Sequence, residues 1–548
     1  GNDPEWGYIG VYKDVLLGGL GFASYRERHK IEIESDKELK LSKAGFGTKS
    51  LDRAASRALV AFDRYSGRQL WKVDATNSFW HNGIVAGGGR VYCLDRNPTV
   101  IEETMKRRGK KSTSGYKITA LDYKSGDKLW EVTDRIFGTW LGYSETYNSL
   151  LQSGSQASDR LTDEIGTGMR VYDASDGTLR WERDSLKYAG PCVLHKEWII
   201  TNTNAYSESA GAFHIQTGEQ RMEKNPITGE MQPWKITRSY GCNSIIASEN
   251  LLTFRSGAAG YYDLVTDSGT GNLGGFRSGC TSNLVVANGV LNAPDYTRTC
   301  SCSYQNQTSL ALIHMPDIDV WTVHPTAKST KPFSAIESLA VNFGAPGDRR
   351  DRDGTLWIEY PSLAADAHPI EITLNADAKP FQYHSSRLNG IDRSWLYSSG
   401  VENVQKLRIK LTTIEPPKTS DESVKKDDDD DGAKKDKSKS TVATKVSEKS
   451  EDANALKQKS STTNSEESTP SRYDVELFFM LPAHAKGVDS VEFEFVCLGK
   501  HEMVSLNDAE RIVRRRFTTE PISSHLEILF ESKKGIPVLN GIRMERLD

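Results

Sequence analysis

Four cysteines crowd one stretch of this 548-residue chain: Cys242, Cys280, Cys300 and Cys302. Thiols cross-link, bind soft metals or stay free, and spacing helps separate these chemistries. A structural zinc site draws on paired Cys-x-x-Cys ligands, and neither Cys242 nor Cys280 has a near partner. Free thiols in a cytosolic chain are a further option, but clustering of this kind favours two disulfides and an oxidising compartment. Cys300 and Cys302 are two residues apart and are better placed to reach Cys242 and Cys280 than each other; the three possible connectivities stay open. Cys93, Cys192 and Cys497 lie in apolar strand patterns and read as buried core residues.

Other reactive groups are sparse. The 11 histidines are dispersed, none paired with another at metal-ligand spacing. No Ser–His–Asp order, phosphate-cradling glycine loop or His–Glu zinc motif occurs, which argues against a hydrolase or metalloenzyme. Lys106–Lys111 is strongly basic and reads as a solvated loop rather than a site for an acidic polymer. Asp427–Asp431 lacks the Gly-interrupted spacing of a calcium loop and reads as a solvated acidic run. Asn306-Gln307-Thr308 matches a glycosylation acceptor, a pattern frequent by chance. A net charge of −4 does not call for nucleic acid or a membrane surface as partner. No run of about 18 apolar residues is present to span a bilayer.

A repeated phrase shows what positions these groups. Ala61-Phe62-Asp63-Arg64-Tyr65-Ser66-Gly67-Arg68-Gln69-Leu70-Trp71 returns at Ala120–Trp130 and again at Val171–Trp181. A weaker copy, Ala212–Glu219, has lost its tryptophan. Each phrase describes a β-hairpin: apolar strand, Asp opening the turn, Gly at a φ > 0 position, then a strand ending in Trp. Trp71, Trp130 and Trp181 are 59 and 51 residues apart. A second kind of apolar hairpin alternates with these, at Ile9–Gly18, Gly83–Leu94, Ser144–Gly154, Cys192–Asn202, Ser244–Arg255 and Asn283–Pro294. Four antiparallel strands per unit of about 40–60 residues is the blade of a β-propeller. In such a blade the second strand returns to the face where the first began. Cys242 and Cys280, each ahead of an inner strand, and Cys300 and Cys302, after a second strand, therefore gather on one face near the axis. Asp267, Asn292 and Asp295 read as lying near that face too.

The Asp-x-x-x-Gly-x-x-x-Trp phrase resembles the tryptophan-docking repeat of pyrroloquinoline-quinone (PQQ)-type propellers. Gly279–Thr281 and Asn292–Leu312 look like a bacterial subfamily of large secreted PQQ-like repeat proteins. The resemblance implies Trp71, Trp130 and Trp181 as blade-docking residues over residues 1–324. The superfamily holds both alcohol dehydrogenases and non-enzymatic envelope assembly proteins, so fold alone does not choose a function. In the enzymes, PQQ and calcium sit over a disulfide between adjacent cysteines; no two cysteines are adjacent here, and no cofactor or metal is expected. The chain opens inside a blade at Trp6-Gly7-Tyr8, so Gly1 is expected not to be the natural start. Six inner hairpins predict a propeller of seven or eight blades, completed by missing or separate N-terminal sequence.

From residue 325 the pattern changes to alternating strands bounded by Gly, Pro and Asp turns, the signature of an antiparallel β-sandwich. Its Val341-Asn342-Phe343-Gly344 opening, Tyr473–Phe479 middle strand and Pro537–Ile542 closing strand resemble malectin-like domains, with Trp357 and Tyr360 as candidate sugar contacts. Residues 325–415 and 472–548 form this unit; residues 416–471, rich in Lys, Asp, Ser, Thr and Glu, are expected to be a disordered insertion. The expected protein is all-β: a secreted, non-catalytic scaffold of the periplasm, cell surface or extracellular space. Envelope proteins, a separate propeller fragment or carbohydrate are its partners, and a PQQ-dependent alcohol or sugar dehydrogenase is the alternative.

Overall fold

The computed structural model describes residues 5–25, 52–110, 115–155, 164–202, 209–239, 241, 244–279, 283–294, 308–311, 320–325, 333, 335–362, 370–388, 390–412, 470–482 and 490–548. The chain is all-β, a β-propeller followed by a β-sandwich. Its described propeller part is a series of antiparallel meanders, one per repeat. The first blade is Trp6–Tyr12, Val15–Phe22, Ala55–Asp63 and the first half of Gln69–Gly87. That last strand continues as the inner strand of the second blade, which adds Arg90–Asp95, Lys117–Asp122 and Lys128–Val132. The third blade is Trp140–Ser144, Ser149–Ser153, Thr167–Asp173 and Leu179–Lys187. The fourth (Ala189–His195, Trp198–Asn202, Ala212–His214) and sixth (Val285–Ala287, Val290–Ala293, Thr308–Ala311) show three strands among the described residues. The fifth, Ile246–Ala247, Leu251–Ser256, Ala258–Asp263 and Thr270–Asn272, gains Thr322–Val323 as an extra outer strand.

Strand alternation explains why the blades stack. Successive side chains point to opposite faces, so each blade shows apolar residues to both neighbours. Leu17, Leu59 and Ala61 of the first blade pack with Val91, Cys93 and Leu121 of the second. Tyr92 and Leu94, one step along the same strand, turn the other way onto Leu141, Leu150 and Tyr172 of the third. Leu151 and Val171 then meet Ile199 and Ile215, and Ile200 meets Leu252 and Phe254. Cys93 and Cys192 are buried in these layers with free thiols. Burial pushes the Cys192 thiol up to about 12.

In the C-terminal part a six-stranded sheet faces a five-stranded one. The opening strand Ser338–Phe343 pairs with the closing strand Gly541–Arg546, which also pairs with Tyr473–Met480. Leu339, Val341, Val475, Leu477 and Ile542 face Leu407, Ile409, Phe493, Leu526 and Ile528 across the core. The outer side of the larger sheet is covered by the short helices Ser385–Leu388 and Ser394–Tyr397, which pack with Trp357, Phe478 and Met480.

His81 marks a tight place in the first blade. Its Nε2 lies 2.8 Å from Ser56 Oγ, beneath Gly7 and beside the rings of Tyr8 and Phe22. Burial lowers its pKa to about 4. The folded state therefore binds fewer protons here than the unfolded chain, and stability drops as pH falls from the usual histidine range near 6.5 toward about 4. This group adds a slope of up to about 1.4 kcal/mol per pH unit in that window. Denaturant melts of wild type and His81→Gln between pH 7 and 4.5 should show a shallower loss in the variant.

Candidate functional site

The propeller has two unlike faces. On one, the Asp-x-x-x-Gly turns repeat a single geometry. Asp63, Asp122 and Asp173 accept backbone N–H groups of their own turns, Ser66 at 2.8 Å, Ser125 at 2.9 Å and Ser175 at 2.8 Å. For Asp63 and Asp122 that bonding is the main cause of carboxyl pKa values below the ordinary range. Gly67, Gly126, Gly177 and Gly218 close the turns at φ +72°, +77°, +80° and +72°, a left-handed backbone suited to glycine.

The tryptophans read from sequence lie on these glycines, each one blade further on. A side chain at Gly126 would meet the Trp71 ring at 2.7 Å, one at Gly177 the Trp130 ring at 2.8 Å, and one at Gly218 the Trp181 ring at 2.7 Å. Each indole N–H donates to the carbonyl of the residue after the turn-opening residue: Trp71 to Tyr123 (3.0 Å), Trp130 to Ala174 (3.1 Å) and Trp181 to Ile215 (2.9 Å).

The series continues where the sequence pattern had faded. Asn225 opens a further turn closed by Gly229 at φ +73°, on the hairpin Met222–Lys224 and Met231–Pro233, and Trp234 follows. Trp234 is fully buried and docks on the fifth blade, where Asp267 stands in the glycine position at φ +53°. Asp267 Oδ1 accepts from Trp234 Nε1 at 2.9 Å and, in a short bond, from the Tyr262 hydroxyl. Burial and the adjoining carboxylate hold the Tyr262 hydroxyl far above its ordinary range. Arg221 covers the other side of the Trp234 ring at 4.4 Å. Asp267 thus belongs to the turn face and is committed to packing. Asn292 accepts from Ser309 Oγ at 2.8 Å on the neighbouring strand; Asp295 lies outside the described residues.

The opposite face carries the loops that follow the second strands. Asp95, fully buried, accepts from the backbone N–H groups of Thr76, Asn77 and Ser78 at 2.7, 2.7 and 2.9 Å. Next to it Arg96 reaches the Gly138 carbonyl at 2.6 Å and lies over the Trp80 ring, while Asn97 donates to Glu102 on the helix Thr99–Arg107. In the third blade Tyr188 bridges Gly154 N–H and the Gly168 carbonyl, at 2.7 Å each. Farther on, Arg238 bonds Asn202 Oδ1 at 3.1 Å and the Arg255 carbonyl at 2.6 Å. Cys242, Cys280, Cys300 and Cys302 lie outside the described residues, but their neighbours sit on this face. Gly241 packs against the Arg255 carbonyl, and Gly279 N–H donates to Pro294 at 3.1 Å.

Propeller and sandwich are joined at defined points. The Ile227 carbonyl, at the tip of the extra hairpin, accepts from Glu337 and Ser338 N–H at 2.8 and 3.2 Å, and the Ile227 side chain enters the sandwich core. Thr322 and Asp348 exchange two backbone bonds, and Arg350 donates to the Asp267 carbonyl at 3.3 Å. The sandwich corrects the reading of Trp357. It is fully buried, edge-on to Trp395 and Phe478, with its N–H on Asp351 Oδ2 at 3.0 Å, and offers no exposed ring face for a sugar. Tyr360 is half-buried against Phe343, its hydroxyl on the Ile372 carbonyl at 2.9 Å. Residues 413–469, which include the acidic run, lie outside the described residues.

A propeller whose blades are pinned by Asp-x-x-x-Gly turns and docked indoles is of the PQQ-like repeat class. Residues 38–252 match the family described as outer membrane protein assembly factor BamB, which supports a PQQ-like repeat for this part of the chain. No curated protein matches the chain. Among solved structures it is similar to BamB from Moraxella catarrhalis, at 13% identity and TM-score 0.28, over 49% of this chain and 77% of that one. The quinohemoprotein alcohol dehydrogenase ADHIIG from Pseudomonas putida HK5 aligns at 12% identity and TM-score 0.24, over 46% and 43%. A β-glucuronidase from Bacteroides uniformis aligns at 14% identity and TM-score 0.23, over 38% of this chain and only 18% of that one. TM-scores this low carry no argument about this chain.

Trp71→Ala should cost about 3–5 kcal/mol, read as a shift of the urea midpoint. Gly126→Val, which drives a side chain into that indole at a left-handed φ, should lose a similar amount. Asp267→Asn keeps an acceptor and tolerates the backbone, so it should be mild. Asp267→Ala, which leaves buried N–H and O–H donors without an acceptor, should cost roughly 1–3 kcal/mol more.

Proposed function

We propose that this protein is a non-catalytic scaffold of the bacterial cell envelope, in which a disulfide-braced propeller joined to a malectin-like sandwich holds partner proteins. The observation that carries the reading is Asp95. On the face where a propeller of this class could hold a ligand, its carboxylate is spent on three backbone N–H groups and fixes the start of an inner strand. A buried carboxylate so engaged braces loops, which is what a binding face needs. The match of residues 38–252 to an outer membrane assembly factor supports an envelope location and envelope proteins as partners. The anchored joint at Ile227 supports a platform that keeps its two parts in fixed relation. With Trp357 in the core, protein takes precedence over carbohydrate as the partner class.

Adding PQQ and calcium to the purified protein tests this reading against the dehydrogenase. The scaffold predicts aromatic absorption alone after desalting and no dye-linked oxidation of alcohols or sugars. Retained quinone with alcohol oxidation would overturn it.

A further inference from the structure

The basic stretch that reads from sequence as a solvated loop is the end of a helix. Lys106 and Arg107 form the last turn of Thr99–Arg107. Arg108 N–H donates to the Thr104 and Met105 carbonyls, both at 3.1 Å, Gly109 N–H to Lys106 at 3.1 Å, and Lys110 N–H to Met105 at 2.9 Å. With Gly109 at φ +65° this is a Schellman cap, and it fixes the backbone that carries Arg108 and Lys110. Ile101, Thr104 and Met105 are buried, whereas Lys106, Arg107, Arg108, Gly109 and Lys110 are all exposed.

Cations in a last turn complement the helix dipole, and that accounts for Lys106 and Arg107. Arg108 and Lys110 lie past the end of the helix, and Arg53 comes from another element. Ala54 and Ala55 pack with Ile101 and Met105, which brings the exposed Arg53 onto the same face of the propeller. The acidic neighbours are Glu102, which accepts from Asn97, Asp52, which accepts from Tyr25 N–H, and the exposed Glu103. The patch is thus positive on a chain whose net charge is −4, so the overall charge conceals it. It is also bare of apolar groups. The helix turns Ile101 and Met105 inward, and its exposed end offers no anchor pocket of the kind that holds a bound peptide.

We propose that this capped helix end is a contact site for an anionic lipid surface, its cations lying among the phosphate headgroups. Each Lys or Arg close to such a surface gains electrostatic attraction without needing a groove. Charge complementarity selects the occupant: exposed cations on a fixed backbone, with no apolar contact beside them, suit a layer of phosphates. A peptide partner would need an apolar or aromatic anchor that this end lacks.

The test is co-sedimentation of the full chain with lipid vesicles at low salt. Phosphatidylcholine vesicles with about one third phosphatidylglycerol should retain the protein, and pure phosphatidylcholine should not. Binding should fall steeply as added salt shortens the screening length. Lys106→Gln, Arg107→Gln and Arg108→Gln together should weaken it by on the order of 100-fold, at about fivefold per charge. Lys110→Glu, beyond the last helical turn, should weaken it by roughly 25-fold. Lys379→Gln, Lys406→Gln and Lys534→Gln together remove the same charge from exposed positions of the sandwich and should leave binding unchanged. No binding to the anionic vesicles, or binding that the sandwich and helix-end variants weaken alike, would overturn the proposal. So would binding to poly-glutamate but not to the vesicles, since it would assign the patch to an acidic segment of a partner protein.

Discussion

The propeller depends on an indole laid across the bare Cα of a left-handed turn. The turn needs positive φ, so glycine is favoured, and glycine in turn leaves a flat surface on which a ring can lie. A buried indole N–H needs an acceptor, and the carbonyl beside the turn-opening residue supplies it. One short phrase thereby sets a strand reversal, a contact between blades and the satisfaction of a polar group. Isolated four-stranded blades with two apolar faces have little stability of their own, and stacking turns each unstable face into core.

Where the chain departs from the phrase it uses the same physics with different residues. Asp267 replaces a glycine, tolerates left-handed backbone and substitutes its carboxylate for the carbonyl as acceptor of the Trp234 N–H. The Asn225 turn sits on an extra hairpin, and its tip at Ile227 leaves the propeller to enter the sandwich core. Turn chemistry that pins one blade to the next is here used to pin the propeller to its neighbour. The opposite face is left for loops, braced by Asp95, Arg96, Tyr188 and Arg238.

The propeller was legible because its signal rests on residue types with few substitutes. Glycine at positive φ and tryptophan at fixed spacing identify Gly126, Gly177 and their partners without any tertiary information. The handover to Trp234 was not legible. Asn replaces Asp, Pro233 adds a residue between the turn and the tryptophan, and the acceptor is an Asp where the pattern calls for Gly. Asp267 was accordingly read as a residue near the cysteine face. Trp357 was misread for a different reason: strand alternation tells which residues share a face but not what covers it. The cover is the pair of short helices Ser385–Leu388 and Ser394–Tyr397, each too short to show a periodicity of its own.

The docked indoles are the contacts that hold blade to blade, and the joint to the sandwich is built upon the blades they pin. Hydrogen exchange of the indole N–H groups, followed by NMR on the intact protein, reads those contacts directly. Trp71, Trp130, Trp181 and Trp234 should exchange only through global or whole-blade opening, with protection that falls together in rising denaturant, while Trp6 exchanges fast. Fast exchange at the docked indoles under native conditions, with the sheet amides still protected, would contradict the account.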